Sequence, residues 1–171
     1  MDILVRKEGD LQTFLVKSHM EFRMLISLKV NFINEETFQD GVLQQGMVKN
    51  EMIGFKESEA AITKSSSGYH LTINGKRQPC DESAITYTVA NIYTQEPEDG
   101  QKVYSQYYGK YFTFEQLGDH QFKFESPEGD NFYWYENGVC TKVRVERDFA
   151  TVHFNLKPES LADVRKGKTK F

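Results

Sequence analysis

Polar and apolar residues alternate along much of the chain, which is the pattern of a β-strand with one buried face. Between Ile26 and Phe32 the even-numbered residues are apolar and the odd-numbered residues are polar. An even-numbered apolar row also runs just upstream, through Phe14, Val16, Met20, Phe22 and Met24. The two rows join without a break. The sequence therefore permits either one long bent strand or a hairpin near Leu25.

Further alternating segments follow at short intervals. They predict strands near residues 42–55, 57–65 and 69–73. In the carboxy-terminal third, alternation around 121–125, 132–135, 139–146 and 152–156 predicts a meander of about four short strands.

Glycine beside Asn or Asp recurs between these segments, for example at Asp40-Gly41, Asn74-Gly75 and Asn137-Gly138. Such pairs supply the positive φ that tight hairpins require. The fold class expected from this rhythm is all-β: a strongly curved antiparallel meander of about ten strands that forms a barrel or half-barrel. Residues 83–92 lack a hairpin glycine, and the sequence leaves strand and one short helix open there.

Composition narrows the class of protein further. Hydrophobic residues make up 39% of the chain, and only 4 residues are Pro. This composition excludes a wholly disordered or collagen-like chain. The net charge of −4 gives no basic field for nucleic acid, so no nucleic-acid partner is expected. No apolar run approaches the length of a transmembrane helix, about 20 residues, and the first residues show no export signal. We expect one domain over residues 1–156 and a basic polar tail over 157–171.

Motifs that carry chemistry are missing from the sequence. The four histidines have no metal-ligand spacing, and neither a nucleophile elbow nor a phosphate-binding loop is present. Cys80 and Cys140 belong to no metal-ligand motif, and the sequence does not decide whether they pair. We therefore expect no enzyme activity, no cofactor and no metal.

The aromatic residues are the most distinctive feature. Several rings are concentrated in residues 104–114 and 132–135. One interpretation is a core row facing inward and a tyrosine row facing outward, which alternation alone produces. The other is a concave apolar pocket that binds a ligand. The candidate ligand-binding residues are Tyr87, Tyr93, Tyr104, Tyr108, Phe112, Phe114 and Trp134, with Phe112 and Trp134 expected to face inward.

Three segments together resemble a known bacterial family: ITYTVANIYTQEP, VYSQYYGKYFTFEQLGDHQFKF and NFYWYENGV. The family is known only as a domain of unknown function, found mainly in Bacteroidota, and its members are usually secreted or envelope proteins. The resembling positions are Ile85, Thr86, Tyr87, Tyr93, Glu96, Pro97, Ser105, Tyr108, Gly109, Gly118, Asn137 and Gly138. The resemblance implies a periplasmic or envelope location, and it brings no established catalytic residues.

The all-β layout of that family is also similar, more distantly, to lipocalin-like and half-barrel lipid carriers. Fold-level similarity of this kind is a weak basis for function. The leading hypothesis is a non-enzymatic protein that binds a lipid-like small molecule in the concavity of its sheet. The alternative is an interaction or scaffold module with a filled core and no ligand pocket.

The family normally has one further strand before the segment that matches Met1–Lys7. Its absence from this sequence predicts an unpaired sheet edge near Ile3 to Arg6. Such an edge is a template for pairing with another chain, so a homodimer formed by edge-strand pairing is a further hypothesis.

Overall fold

The computed structural model describes residues 1–23, 27–52, 57–148 and 150–155. This part of the chain contains fourteen β-strands and a single 3₁₀ turn. The strands are β1 Asp2–Glu8, β2 Leu11–Arg23, β3 Ser27–Gln39, β4 Val42–Met52, β5 Ser58–Ser65, β6 Gly68–Ile73, β7 Lys76–Gln78, β8 Lys102–Ser105, β9 Lys110–Thr113, β10 Glu115–Gly118, β11 Gln121–Ser126, β12 Gly129–Glu136, β13 Val139–Arg147 and β14 Ala150–Asn155. The predicted tail over residues 157–171 lies outside the described residues.

The strands form two antiparallel meanders joined by a small hairpin. Strands β1 to β7 make a seven-stranded sheet in sequence order, and β10 to β14 make a five-stranded sheet in the same way. Strands β8 and β9 pair with each other between them. The predicted all-β antiparallel meander is confirmed. Of the two forms that the sequence allowed, the described strands do not make a closed barrel, since neither large sheet closes on itself. The fourteen strands exceed the expected ten because several of them are only three or four residues long.

The glycine-containing turns have the geometry that the sequence predicts. Both residues of Asn74-Gly75 have positive φ, at 51° and 73°, as do both residues of Asn137-Gly138, at 54° and 78°. This is the backbone of a tight two-residue hairpin, which matches the twist of the strands on either side.

The amino-terminal rows form a hairpin and not one bent strand. Strand β2 pairs with β3 over its whole length, from Leu11 opposite Gln39 to Arg23 opposite Ser27. The turn expected near Leu25 lies outside the described residues. Among the side chains that the structure describes on these strands, the even-numbered Phe14, Val16 and Val30 are buried in the interior.

The long connection after β7 forms no α-helix. It contains one bridge, between Thr88 and Tyr104, and one 3₁₀ turn, Asn91–Tyr93. The short helix that the sequence left open near residues 83–92 is therefore reduced to this turn. Buried hydrogen bonds hold the connection against the first sheet: the Tyr69 hydroxyl donates to the Leu43 carbonyl over 2.8 Å and accepts the Ile85 N–H over 3.1 Å.

Two apolar clusters make up the core. One lies on the seven-stranded sheet and includes Phe14, Phe38 and Leu71, packed with Ile85 and Tyr104. The other lies on the five-stranded sheet and is largely aromatic; its rings belong to Tyr87, Phe112, Phe114, Phe122, Phe124, Tyr133 and Tyr135. Both faces turn toward a shared interior, which contains the cavity described below.

Strand β1 lies at the edge of the seven-stranded sheet, with β2 as its neighbour. The homodimer inferred from that edge stays a prediction.

Cys80 and Cys140 are both free thiols. Burial raises the pKa of the Cys140 thiol to about 12, so this residue behaves as a small apolar side chain.

Candidate functional site

A cavity of about 590 Å³ lies between the two large sheets. The inward rows of facing strands supply most of its wall, because alternation places every second side chain of a strand on the interior. Apolar groups of the wall are Val30, Phe32 and Val48 from the first sheet and Phe124, Val145 and Phe154 from the second. The volume falls within the range of small-molecule sites, about 300–1,000 Å³.

Polar side chains interrupt this apolar wall on one strand. In β3 the inward row reads Val30, Phe32, Asn34, Glu36 and Phe38, so two polar residues replace apolar ones. Asn34 and Glu36 are 1% and 2% exposed. A third buried polar side chain, Gln106, is 2% exposed and comes from the turn between β8 and β9. These three residues, with Asn50 of β4, are called the polar end of the cavity below.

Glu36 is held by a buried hydrogen-bond network. The Asn34 amide donates to Glu36 Oε1 over 2.9 Å, and Glu36 Oε2 is hydrogen-bonded to the Thr88 hydroxyl. Thr88 also donates to Asn91: Asn91 Oδ1 lies 2.8 Å from the Thr88 amide nitrogen and 2.9 Å from its hydroxyl oxygen. The network fastens the connection after β7 to the first sheet.

The proton count of this network favours a neutral Glu36. A threonine hydroxyl carries one proton and cannot donate to both Glu36 and Asn91. Asn91 Oδ1 acts as an acceptor, since it also receives the Thr88 backbone N–H. All contacts are satisfied when Glu36 carries a proton and donates it to Thr88. Burial raises the pKa of Glu36 to about 7, in agreement with this arrangement.

Four polar atoms of the cavity's polar end have no hydrogen-bond partner among the described residues. They are Asn34 Oδ1, Asn50 Oδ1, and both Nε2 and Oε1 of Gln106. A glycine makes room for the Gln106 carboxamide, because a Cβ at Gly46 would clash with Gln106 Nε2. Gly46 pairs directly with Glu36 across β3 and β4. The orphaned carboxamide therefore lies over the strand position opposite Glu36.

Charged side chains in the cavity wall are few and mostly acidic. They are Glu36, Glu128, Arg147 and Asp148. The Arg147 guanidinium is already engaged, with Nη1 donating to the Glu146 carbonyl over 2.7 Å and Nη2 to Asn131 Oδ1 over 3.1 Å. No group of three His, Cys, Asp or Glu side chains in the described ranges is arranged to hold a metal ion.

Comparison with known proteins places the chain in a family. The family model described as "Domain of unknown function (DUF6134)" matches residues 1–157. The chain belongs to this family. Neither the curated proteins nor the solved structures contain a match. All fourteen strands lie within the matched residues, so the cavity is a feature of the DUF6134 domain itself.

Three of the predicted ligand-binding residues of the DUF6134 domain line the cavity: Tyr93, Tyr108 and Phe112. They also connect to its aromatic wall, since Phe112 stacks on Phe124 with ring centroids 5.4 Å apart. Burial raises the pKa of Tyr108, whose hydroxyl therefore stays protonated at neutral pH.

Three others are buried in the core and do not line the cavity: Tyr87, Tyr104 and Phe114. Their polar atoms have protein partners. The Tyr87 hydroxyl donates to the Gln95 carbonyl over 2.6 Å, and the Tyr104 hydroxyl lies 3.4 Å from the Cys80 sulfur.

Trp134 lies on the opposite face of the five-stranded sheet, so its expected inward orientation is wrong. In β12 the buried row consists of Asn131, Tyr133 and Tyr135, which leaves Trp134 pointing outward with Phe132. The Lys142 ammonium lies 4.5 Å from the Trp134 ring, and the Arg144 guanidinium lies 4.0 Å from the Phe132 ring. Basic side chains thus cover these two outer rings.

The polar end is the part of the site that the aromatic pattern does not reveal. Its one sequence signal is the pair Asn34 and Glu36, which continue the inward parity of Val30 and Phe32 where apolar residues are expected. Gln106 gives no such signal, because it belongs to a turn.

The described ranges of the chain contain no helix with the length and hydropathy of a membrane span.

Proposed function

We propose that the DUF6134 domain is a non-enzymatic binding protein that holds an apolar or amphipathic, lipid-like small molecule between its two sheets. The location proposed with it is the periplasm or envelope, as the resemblance of the sequence implies. The observation that carries the proposal is the cavity of about 590 Å³, with an apolar wall and a buried polar end. Ligand sites generally combine such a wall with a few polar groups that orient the ligand.

The competing function is a scaffold module whose interior is filled by its own side chains. Protein interiors are close-packed, and few voids exceed the size of a water molecule. A cavity of about 590 Å³ is far larger than such a void. Leaving buried amide groups without partners is also costly, about 1–3 kcal/mol for each. Both features favour ligand binding over a scaffold role.

Binding in the cavity is testable with a neutral fluorescent probe, N-phenyl-1-naphthylamine. We expect a saturable rise in fluorescence with the unmodified protein. Val145 lines the cavity, so Val145→Phe places a phenyl ring in the space the probe needs. This variant is expected to weaken probe binding about tenfold or more, which corresponds to a loss of about 1.4 kcal/mol.

Leu117→Phe is the matched control, because Leu117 is exposed on β10 and is not part of the cavity wall. It adds an aromatic ring away from the cavity and should leave probe affinity unchanged. Absence of saturable binding by the unmodified protein, or equal binding by Val145→Phe, would rule out the cavity as the ligand site.

A further inference from the structure

The unpartnered atoms of the cavity's polar end are mainly hydrogen-bond acceptors. Three are carbonyl oxygens, of Asn34, Asn50 and Gln106, and one is the Gln106 amide nitrogen. Asn34 and Gln106 are almost completely buried, and both line the cavity, so no bulk water competes for them. A ligand group that carries hydrogen-bond donors would satisfy these oxygens and recover the cost of burying them.

The hydrogen-bond acceptors of the polar end do not suit a carboxylate ligand. It accepts hydrogen bonds and donates none, so it would face three carbonyl oxygens. Arg147 is the one lysine or arginine of the described residues that lines the cavity, and its charge is already matched by Glu128, whose Oε2 lies 3.8 Å from Arg147 Nε. Burying an anion without a cationic partner is strongly unfavourable.

A cationic head group has no free anion at the polar end either. Both carboxyl oxygens of Glu36 are already hydrogen-bonded, one to Asn34 and the other to Thr88. An ammonium group carries donors for the unpartnered carbonyl oxygens, but its charge would be buried beside a neutral Glu36. Burying a cation without an anionic partner is strongly unfavourable.

We infer that the polar end of the cavity selects an uncharged head group rich in hydrogen-bond donors, such as the two hydroxyl groups of a monoacylglycerol, over a carboxylate or an ammonium. This inference rests on the proposed function and specifies its ligand class. The apolar wall then holds a single acyl chain, while the two hydroxyl groups donate to the side-chain oxygens of Asn34 and Gln106.

Displacement of the bound fluorescent probe measures this selectivity. Three amphiphiles that share a twelve-carbon chain are compared below their micellar concentrations: 1-monododecanoylglycerol, dodecanoate and dodecylammonium. At about pH 6, where dodecanoate is ionised and Glu36 is mostly neutral, the glyceride is expected to displace the probe at a concentration about tenfold lower than either ion.

Gln106→Met tests the assignment of the head-group site. Methionine has a similar length but no amide. The Gln106 carboxamide has no hydrogen-bond partner within the described part of the chain, so the change breaks no side-chain hydrogen bond there. The variant should keep its affinity for the probe, while its preference for the glyceride falls to about threefold or less. Gln121→Met, at an exposed position of β11, is the control and should keep the full preference.

The outcomes separate the two proposals. A protein that does not bind the probe refutes the proposed function, and this inference with it. If the probe binds, but dodecanoate or dodecylammonium displaces it as well as the glyceride does, the head-group inference alone is wrong. If Gln106→Met keeps the full preference for the glyceride, the polar end has no part in ligand recognition.

Discussion

Replacing Glu36 with glutamine is expected to remove a pH dependence of about 3 kcal/mol from the free energy of unfolding. The folded protein holds the Glu36 proton up to about pH 7, whereas the unfolded chain releases it near its ordinary value of 4.5. Between these values the native state binds more protons than the unfolded state. The stabilising contribution of the neutral carboxyl is therefore fully present below pH 4.5 and is lost as the pH rises through 7.

Glutamine is the appropriate replacement because its amide can donate to Thr88 as the protonated carboxyl does. Urea unfolding of both proteins at a series of pH values gives the difference in stability directly. We expect similar stabilities in acid and a Glu36→Gln protein that is more stable by about 3 kcal/mol above pH 7. A difference that does not change with pH would show that Glu36 titrates normally in the folded protein.

Phe114→Ala is expected to cost about 3–5 kcal/mol of stability. The Phe114 ring is 1% exposed and meets four other rings edge to face. Its centroid lies 5.4 Å from that of Phe124 and 5.8 Å from that of Tyr133. Truncation leaves a void among aromatic groups that are fixed by strand pairing and cannot collapse into it.

Phe132→Ala is the control for this substitution, because Phe132 lies on the outer face of the five-stranded sheet under Arg144. Its loss should cost only about 1–2 kcal/mol. Thermal or urea unfolding of the two variants shows which one loses more stability. Equal destabilisation would contradict the assignment of inner and outer faces.

The strand pattern and the turns of the molecule are predictable from the sequence because both are local. Alternation fixes which residues share a face, and Asn-Gly or Asp-Gly pairs fix the reversals. The long hairpin of β2 and β3 left more than one arrangement open, since the same row continues on both sides of the turn. Pairing between distant strands, which separates the chain into two sheets, is not encoded in any local pattern.

Sequence periodicity has a second limit: it does not show which face of an aromatic strand turns inward. Residues Phe132 to Tyr135 are all aromatic, so periodicity does not distinguish the row of Tyr133 from the row of Trp134. The structure distinguishes them by tertiary contacts: Phe124 stacks on Tyr133 over 5.6 Å, whereas Lys142 and Arg144 cover Trp134. Polar residues within an inward row, as at Asn34 and Glu36, are the better sequence signal for a site.

A crystal structure of the protein grown with 1-monododecanoylglycerol tests the cavity as a ligand site most directly. We expect electron density for one molecule between the two sheets, with its glycerol hydroxyls within hydrogen-bonding distance of Asn34 and Gln106. Its acyl chain should lie against Phe124 and Val145. Density confined to an outer face of either sheet, or a cavity that contains only water, would contradict the proposed binding function.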